Sequence, residues 1–275
     1  MPTQLEKALA FRALHQRPGA FVIPNPWDAG STLLLNAFGF EALATTSAGH
    51  AFALGQQDGG GGIGRAVTLA NARAIVEATD LPVSADLENG FGDAPEEAAE
   101  TIRQAAAAGV VGGSIEDATG DKDRPLFDIG QATERVAAAV EAARALGFPF
   151  TLTARAENFL RGNPSLDDTI KRLQAFEKAG ADVLFAPGLP DLASVRAVCA
   201  AVTKPFNFMV GIRGKSFTVA ELEAAGVKRI SLATSLYRAA MSGLVDAARE
   251  AKDKGTFGYV DRTMATPELN GFMQT

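Results

Sequence analysis

The feature of this sequence that most constrains its fold is a repeated order of helix, glycine and short apolar run. A segment with helical periodicity ends at a glycine, and a short, mostly apolar segment follows it. The pattern occurs at Gly39, Gly109, Gly147, Gly180 and Gly226. Glycine just past a helix end is the usual left-handed helix terminator. Strict alternation of helices with strands predicts a parallel β-sheet.

The apolar runs predict eight strands, and the segments between them predict the helices. Strands are expected near 20–25, 41–46, 82–86, 110–115, 149–154, 182–186, 205–210 and 228–233. Helices are expected near 28–38, 65–79, 94–108, 131–146, 165–179, 190–202, 218–225 and 235–253. Eight such units in 275 residues favour a closed (β/α)8 barrel of the TIM type, with an open doubly wound sheet as the alternative.

Composition and charge argue against several classes of protein. The net charge of −6 disfavours a nucleic-acid partner and an anionic membrane surface. No run approaches the roughly 18 apolar residues that a membrane span needs, and residues 1–17 have the pattern of an amphipathic helix instead of a signal peptide. The single Cys199 excludes an intramolecular disulfide and a thiolate-rich zinc site. We therefore expect a cytoplasmic protein with no nucleic-acid or membrane partner.

Carboxylates gather where two of the predicted strands end. Asp86 and Glu88 follow the third strand, and their i, i+2 spacing places both side chains on one strand face. Glu116 and Asp117 end the fourth strand. Such acids repel one another unless a cation or a proton lies between them, and hard divalent cations prefer oxygen-rich sites. The alternative is that each acid caps a helix or is solvated in a loop.

In a (β/α)8 barrel the carboxyl ends of all the strands meet at one face, where active sites lie. Besides the acids above, the residues expected at this face include Trp27, Thr46, Ser47, Ala48, His50, Asp58, Arg155, Asn207 and Ser231. One arginine among many carboxylates suggests an anionic substrate, because a guanidinium binds a carboxylate through two hydrogen bonds. His15 precedes the first strand and is expected at the protein surface or at a helix terminus.

Four motifs resemble those of the isocitrate lyase/phosphoenolpyruvate mutase superfamily, and the resemblance covers nearly the whole chain. The first is Thr46-Ser47-Ala48-Gly49 followed by Leu54-Gly55-Gln56-Gln57-Asp58. The others are Asp86-Leu87-Glu88-Asn89-Gly90-Phe91-Gly92, Glu116-Asp117 and Ala154-Arg155-Ala156-Glu157-Asn158. The motifs occur in the order and with the spacing of that superfamily.

The resemblance implies a Mg²⁺- or Mn²⁺-dependent enzyme that acts on a small 2-oxo acid through an enolate. Asp86 would bind the metal directly, and Asp58, Glu88 and Glu116 would hold its water ligands. Arg155 and the segment 46–48 would hold the substrate's carboxylate and oxo oxygen, and the other residues expected around the substrate are Trp27, Asp86, Asn207 and Ser231. A metal that two substrate oxygens chelate stabilises the enolate oxygen as charge develops there.

The loop after the fourth strand departs from the superfamily pattern. Isocitrate and methylisocitrate lyases have a Lys-[Arg/Lys]-Cys-Gly-His motif there, whereas this chain has Gly120-Asp121-Lys122-Asp123-Arg124-Pro125. The general acid is therefore expected to be Lys122, or else Asp123 or His50. A carbon–carbon lyase or hydrolase acting on an oxaloacetate-like dicarboxylate is the first interpretation. A non-catalytic 2-oxo acid binding protein and a phosphonomutase-like P–C bond enzyme are the alternatives.

The end of the chain suggests self-association. We expect the barrel over 1–254 and a C-terminal helical extension over 255–275. The extension carries apolar residues that need a surface to cover: Phe257, Tyr259, Met264, Leu269, Phe272 and Met273. In the superfamily that this chain resembles, the C-terminal helix packs on a neighbouring subunit. We therefore expect a homo-oligomer, in particular a tetramer.

Overall fold

Eight parallel strands surround a single barrel interior. A computed structural model of the chain describes residues 2–59 and 62–273. The strands are Phe21–Ile23 (β1), Leu43–Ala44 (β2), Val83–Asp86 (β3), Gly112–Glu116 (β4), Thr151–Arg155 (β5), Val183–Phe185 (β6), Phe206–Met209 (β7) and Arg229–Ser231 (β8). Their order is β1-β8-β7-β6-β5-β4-β3-β2. The predicted (β/α)8 barrel is confirmed.

The barrel closes between β1 and β2 through hydrogen bonds that do not form a regular ladder. The backbone N–H of Ala44 donates to the carbonyl of Pro24 at 3.0 Å. The side chain of Asn25 donates to the carbonyl of Thr45, and its Oδ1 accepts from the backbone N–H groups of Leu232 and Ala233. One buried amide thus joins the carboxyl ends of β1, β2 and β8.

The helices cover the outside of the barrel. They are Gln4–Gln16 (α1), Ala29–Asn36 (α2), Ser47–Ala53 (α3), Arg65–Glu77 (α4), Pro95–Ala107 (α5), Ile129–Arg144 (α6), Leu166–Lys178 (α7), Leu192–Ala201 (α8), Val219–Ala224 (α9), Ser235–Arg249 (α10) and Thr266–Phe272 (α11). The sequence predicted strand two to continue into a loop, whereas α3 begins at Ser47 because the Thr46 side chain caps it by accepting from Gly49 N–H. Among the described residues, each helix is too short or too polar to cross a lipid bilayer.

Helix α1 closes the amino-terminal end of the barrel. Phe11 lies so close to Gly112 that a Cβ at this glycine would be 2.9 Å from the phenyl ring. His15 packs edge-on between Phe11 and Phe21, and only 8% of it is exposed. Burial lowers the pKa of His15 to about 3. His15 lies in the last turn of α1, so the expected helix-terminus position is confirmed. The alternative of a surface position is wrong, because this turn faces the start of the strands.

Helix α10 behaves differently from the helices that pack on the sheet. None of its residues is buried, and Leu244 is 60% exposed. A π-helical turn over Glu250–Lys254 follows it, and Gly255 ends this turn in the left-handed conformation (φ 65°). Beyond it, Phe272 of α11 stacks on Phe38 with ring centroids 6.0 Å apart. Residues 274–275 of the predicted extension lie outside the described residues.

Candidate active site

A cavity of about 310 Å³ opens at the carboxyl ends of the strands and continues into the barrel interior. This is the face where (β/α)8 enzymes hold their active sites. Many of the residues that the sequence predicted for the site line this cavity, namely Thr46, Ser47, Ala48, Asp58, Asp86, Arg155, Asn207 and Ser231. The fold therefore gathers residues from all eight strands, and from several of the loops after them, around one volume.

Asp86 ends β3 at the wall of the cavity, and neighbours on both sides fix its carboxylate. Its Oδ2 accepts from the Ser47 hydroxyl at 2.8 Å and from the Ser47 backbone N–H at 3.3 Å. Its Oδ1 accepts from Nη1 of Arg155 at 2.9 Å. These contacts hold the carboxylate of Asp86 in one orientation at the cavity wall.

Arg155, at the end of β5, joins three acids. Its Nε and Nη2 donate to Oε1 of Glu157 at 3.1 and 2.8 Å. Its Nη2 lies 3.0 Å from Oε2 of Glu116, and the Phe185 ring packs 5.1 Å from the guanidinium carbon. Each guanidinium nitrogen of Arg155 thus already faces a carboxylate.

Glu116 is buried beside two arginines, and burial together with the nearby charges of Glu157 and Asp86 raises its pKa to about 8. It contacts Arg155 and also Nη2 of Arg161, at 3.1 Å. Its neighbour Asp117 faces the opposite way, where it pairs with Arg172 at 3.0 Å and accepts from the Glu157 backbone N–H. Arg161 was missed by the sequence reasoning, since nothing in its local sequence distinguishes it from an ordinary surface arginine.

The remaining acids form a second group around Asp86. Burial and the charges of Asp86 and Asp58 raise the pKa of Glu88 to about 7. Partial burial and the charge of Asp86 also raise the pKa of Asp58. Among the described residues, no three His, Cys, Asp or Glu side chains are arranged to hold a metal ion directly. The group fits a hydrated Mg²⁺ with Asp86 as its one direct ligand, because Mg²⁺ keeps several waters that outer carboxylates can bind.

The turn that carries Glu88 is strained. Glu88 and Phe91 have φ values of 48° and 61°, in the left-handed region that residues other than glycine rarely adopt. The buried Arg135 of α6 holds this turn by donating to the backbone carbonyls of Asn89 and Gly92. Strain of this kind persists only where the surroundings enforce it, and it is frequent at functional sites.

Several predicted residues lie outside the cavity wall. Trp27 packs edge-on against Tyr237, with ring centroids 5.1 Å apart. His50 is half-buried in α3, and burial lowers its pKa. Lys122 and Asp123 are exposed in a small hairpin that an Ala118–Leu126 bridge closes. In this conformation the structure does not bring the three candidate general acids to the cavity, and their role stays a prediction.

The floor of the cavity is polar, and part of it was not predicted. Asn207 of β7 donates to the Ser231 hydroxyl at 3.0 Å and accepts from Nε of Arg229 at 2.8 Å. Arg229 lines the cavity and also donates from Nη2 to the Thr153 hydroxyl at 3.0 Å. The signal that was missed is an arginine inside an apolar strand, two residues before Ser231, where alternation points both side chains inward.

The sequence and the structure of this chain are similar to those of known enzymes with the same fold. The sequence model of a family described as phosphoenolpyruvate phosphomutase matches residues 11–252. A crystal structure of a proposed lyase/mutase from Burkholderia cenocepacia J2315 is 54% identical, with a TM-score of 0.96 over 99% of this chain and 97% of that chain. The 2,3-dimethylmalate lyase of Eubacterium barkeri is 28% identical over 98% of this chain and 94% of its own length. A structure of oxaloacetate acetylhydrolase with its product oxalate is 25% identical, with a TM-score of 0.88 over 98% of this chain and 95% of that chain.

Proposed function

Because this chain belongs to the phosphoenolpyruvate mutase/isocitrate lyase superfamily, whose members include carbon–carbon lyases and hydrolases, we propose that it cleaves a carbon–carbon bond of a small, oxaloacetate-like 2-oxo acid. The observation that carries the proposal is the carboxylate of Asp86. It lies at the cavity wall between Ser47 and Arg155, with the acids Asp58 and Glu88 nearby. Among the relatives described above, 2,3-dimethylmalate lyase and oxaloacetate acetylhydrolase are named for small dicarboxylic acids.

We propose Mg²⁺ or Mn²⁺ as the cofactor. Asp86 would hold the ion directly, and Asp58 and Glu88 would accept hydrogen bonds from its waters. When bound, the ion supplies positive charge where the enolate oxygen develops. The structure supports this proposal because burial and the charge of Asp86 raise the pKa of both Asp58 and Glu88, and a cation beside these carboxylates would offset the repulsion.

The protein's own residues position the reacting groups. Ser47 donates to Asp86 through both its hydroxyl and its backbone N–H, so it fixes the lone pairs that face the cavity. Arg155 keeps Asp86, Glu116 and Glu157 at fixed distances, and its nitrogens are engaged in doing so. We therefore propose that Arg155 is mainly a positioning residue. The substrate's carboxylate and oxo oxygen would then meet the metal and the segment Thr46–Ala48.

A non-catalytic 2-oxo acid binding protein is the second candidate function. The observation that favours it is the exposure of Lys122 and Asp123 on the hairpin outside the cavity. An enolate needs a proton donor to complete bond cleavage, and neither side chain reaches the cavity in this conformation. Catalysis would require the hairpin to close over the cavity or His50 to donate the proton.

A turnover assay over matched 2-oxo and 2-hydroxy acids separates the two functions. We expect Mg²⁺-dependent release of product by the wild type and its loss in Asp86→Asn. Asp93→Asn serves as the control, because this exposed aspartate lies in the same loop region but not at the cavity. Mg²⁺-dependent binding of oxalate without turnover of any acid would support the binding protein. Turnover that is unaffected by Asp86→Asn would overturn the proposed site.

A further inference from the structure

The two arginines inside the barrel differ in how their charge is balanced. Arg155 faces three carboxylates, whereas within residues 2–59 and 62–273 the guanidinium of Arg229 contacts only two neutral oxygens, those of Asn207 and Thr153. Arg229 is 6% exposed, and within the described part of the chain its Nη1 has no hydrogen-bond partner. Burial lowers the pKa of Arg229 to about 9, and no acid in the described residues opposes this shift. A buried cation in such surroundings lacks a counter-charge.

The missing counter-charge cannot come from the amino-terminal side of the barrel. His15 lies on that side, and the charge of Arg229 adds to burial in lowering the pKa of this histidine, so His15 stays neutral at physiological pH. Its neighbours Phe11 and Phe21 are apolar. The side of Arg229 that remains is the cavity, which Arg229 lines together with Asp86 and Arg155.

The strand register gives the depth of Arg229 below the metal site. Thr153, which binds Arg229, precedes Arg155 by two residues on the same strand, and both side chains face the barrel interior. At about 3.3 Å per residue, this contact lies roughly 6–7 Å deeper than Arg155. Small side chains of the inner layer, Ser84 and Ser114, keep this path open, and both line the cavity. Barrel interiors are more often filled by bulky branched side chains.

We propose that Arg229 binds the second carboxylate of the substrate and thereby selects dicarboxylic over monocarboxylic 2-oxo acids. This inference rests on the proposed function, since it assigns the far end of the same substrate. The near end of the acid occupies the Asp86 site, and the far carboxylate replaces the counter-charge that Arg229 lacks. Asn207 and Thr153 hold the guanidinium in place for this contact, as neutral acceptors that leave its charge available.

Two pairs of ligands test this inference. The two members of each pair differ only at the end far from the 2-oxo group, where one has a carboxylate and the other a methyl group. The pairs are oxaloacetate against 2-oxobutanoate and 2-oxoglutarate against 2-oxopentanoate, measured by calorimetry with the Mg²⁺-loaded protein. In the wild type we expect the diacid of at least one pair to bind 10- to 100-fold more tightly, as is usual for a charge-assisted hydrogen bond. Arg229→Met should abolish this preference and leave the affinity for the monoacid within about threefold. Arg229→Lys should retain part of the preference, because the charge remains.

Control variants separate this role from a structural one. Arg196→Met removes an exposed arginine of α8 that does not line the cavity, so it should keep the wild-type preference. Thermal unfolding of each variant shows whether it is folded, and the wild-type comparison of diacid with monoacid needs no variant at all. The inference would be overturned if the wild type showed no preference in either pair, or if a folded Arg229→Met kept the preference. In both cases, binding of the monoacids would leave the proposed function standing. If no acid binds the wild type, the proposed function fails and the inference fails with it.

Discussion

Replacing Arg155 by methionine tests the three-acid cluster at the centre of the site. The substitution keeps an unbranched apolar side chain in place of the arginine's aliphatic part but removes the cation that Asp86, Glu116 and Glu157 share. The side chains of Glu116 and Glu157 are 7% and 0% exposed, so water can do little to screen the acids that remain. Removing one partner of a buried ion pair costs about 3–5 kcal/mol, because a buried charge is left uncompensated. We expect a loss of that size in the free energy of unfolding at pH 7.5 without divalent metal.

Urea unfolding at a fixed protein concentration measures this loss, and the fluorescence of Trp27, the only tryptophan, reports on unfolding. Arg103→Met is the matched control. Its pair with Glu100 is exposed, with 53% and 42% of the side chains accessible, so it should cost less than about 1 kcal/mol.

The pH dependence of the stability that Arg155→Met loses supplies an internal check. Without the guanidinium, the buried acids bind protons more readily in the folded than in the unfolded chain. Stability then rises as pH falls, so the defect of Arg155→Met should shrink between pH 7.5 and pH 5. A variant as stable as Arg103→Met at pH 7.5 would refute the reasoning, because it would mean that the three acids do not depend on Arg155.

Four further predictions follow from the same structure. Asp86→Ala should abolish or severely weaken Mg²⁺ and Mn²⁺ binding in calorimetry, and wild-type affinity would remove the metal site. Lys122→Ala should reduce turnover by roughly 10²–10⁴-fold with metal affinity unchanged; a reduction in His50→Ala instead would place the general acid on α3. Because the folded pKa of His15 is about 3, below its ordinary 6.5, its contribution to stability is complete above pH 6.5 and falls as pH drops toward 3. At pH 5 the wild type should have lost about 2 kcal/mol that His15→Gln does not lose, and urea unfolding at pH 7.5 and 5 measures the difference. We also propose a homotetramer in which a second copy covers α10, so Leu244→Lys should shift sedimentation toward smaller species, and a wild type that sediments as a monomer at micromolar concentration would contradict this.

The fold was predictable from the sequence because its signals are local. A left-handed glycine after several of the helices, such as Gly109 (φ 98°) or Gly226 (φ 96°), marks a turn that the backbone itself requires, although Gly147 after α6 does not adopt this conformation. The predicted strands overlap the observed ones in all eight cases, although every observed strand is shorter than its prediction. Helix α3 was missed because its start depends on a single cap, Thr46, directly after a strand of two residues.

The contacts inside the site could not be predicted in the same way. The sequence placed Asp86, Glu116 and Arg155 at one end of a barrel, but the ion pairs among them depend on the register of three strands. Glu116 lies opposite Arg155 in that register, which turns its carboxylate toward the guanidinium. The burial of His15 depends on the angle at which α1 crosses the barrel, which no local pattern encodes.

The two barrel arginines differ in whether neighbouring acids balance their charge, and this difference decides which of them is available to a substrate carboxylate. Arg155 is the arginine that the sequence marks, yet three acids already neutralise it, so a substrate carboxylate would have to displace one of them. Arg229 is hidden in an apolar strand, and within the described residues no acid neutralises it. Loss of Arg155 should therefore weaken metal binding and stability together, since it orients Asp86. Loss of Arg229 should instead change which acids bind and leave the metal in place, so metal affinity and ligand preference, measured in the same two variants, report on the two residues separately.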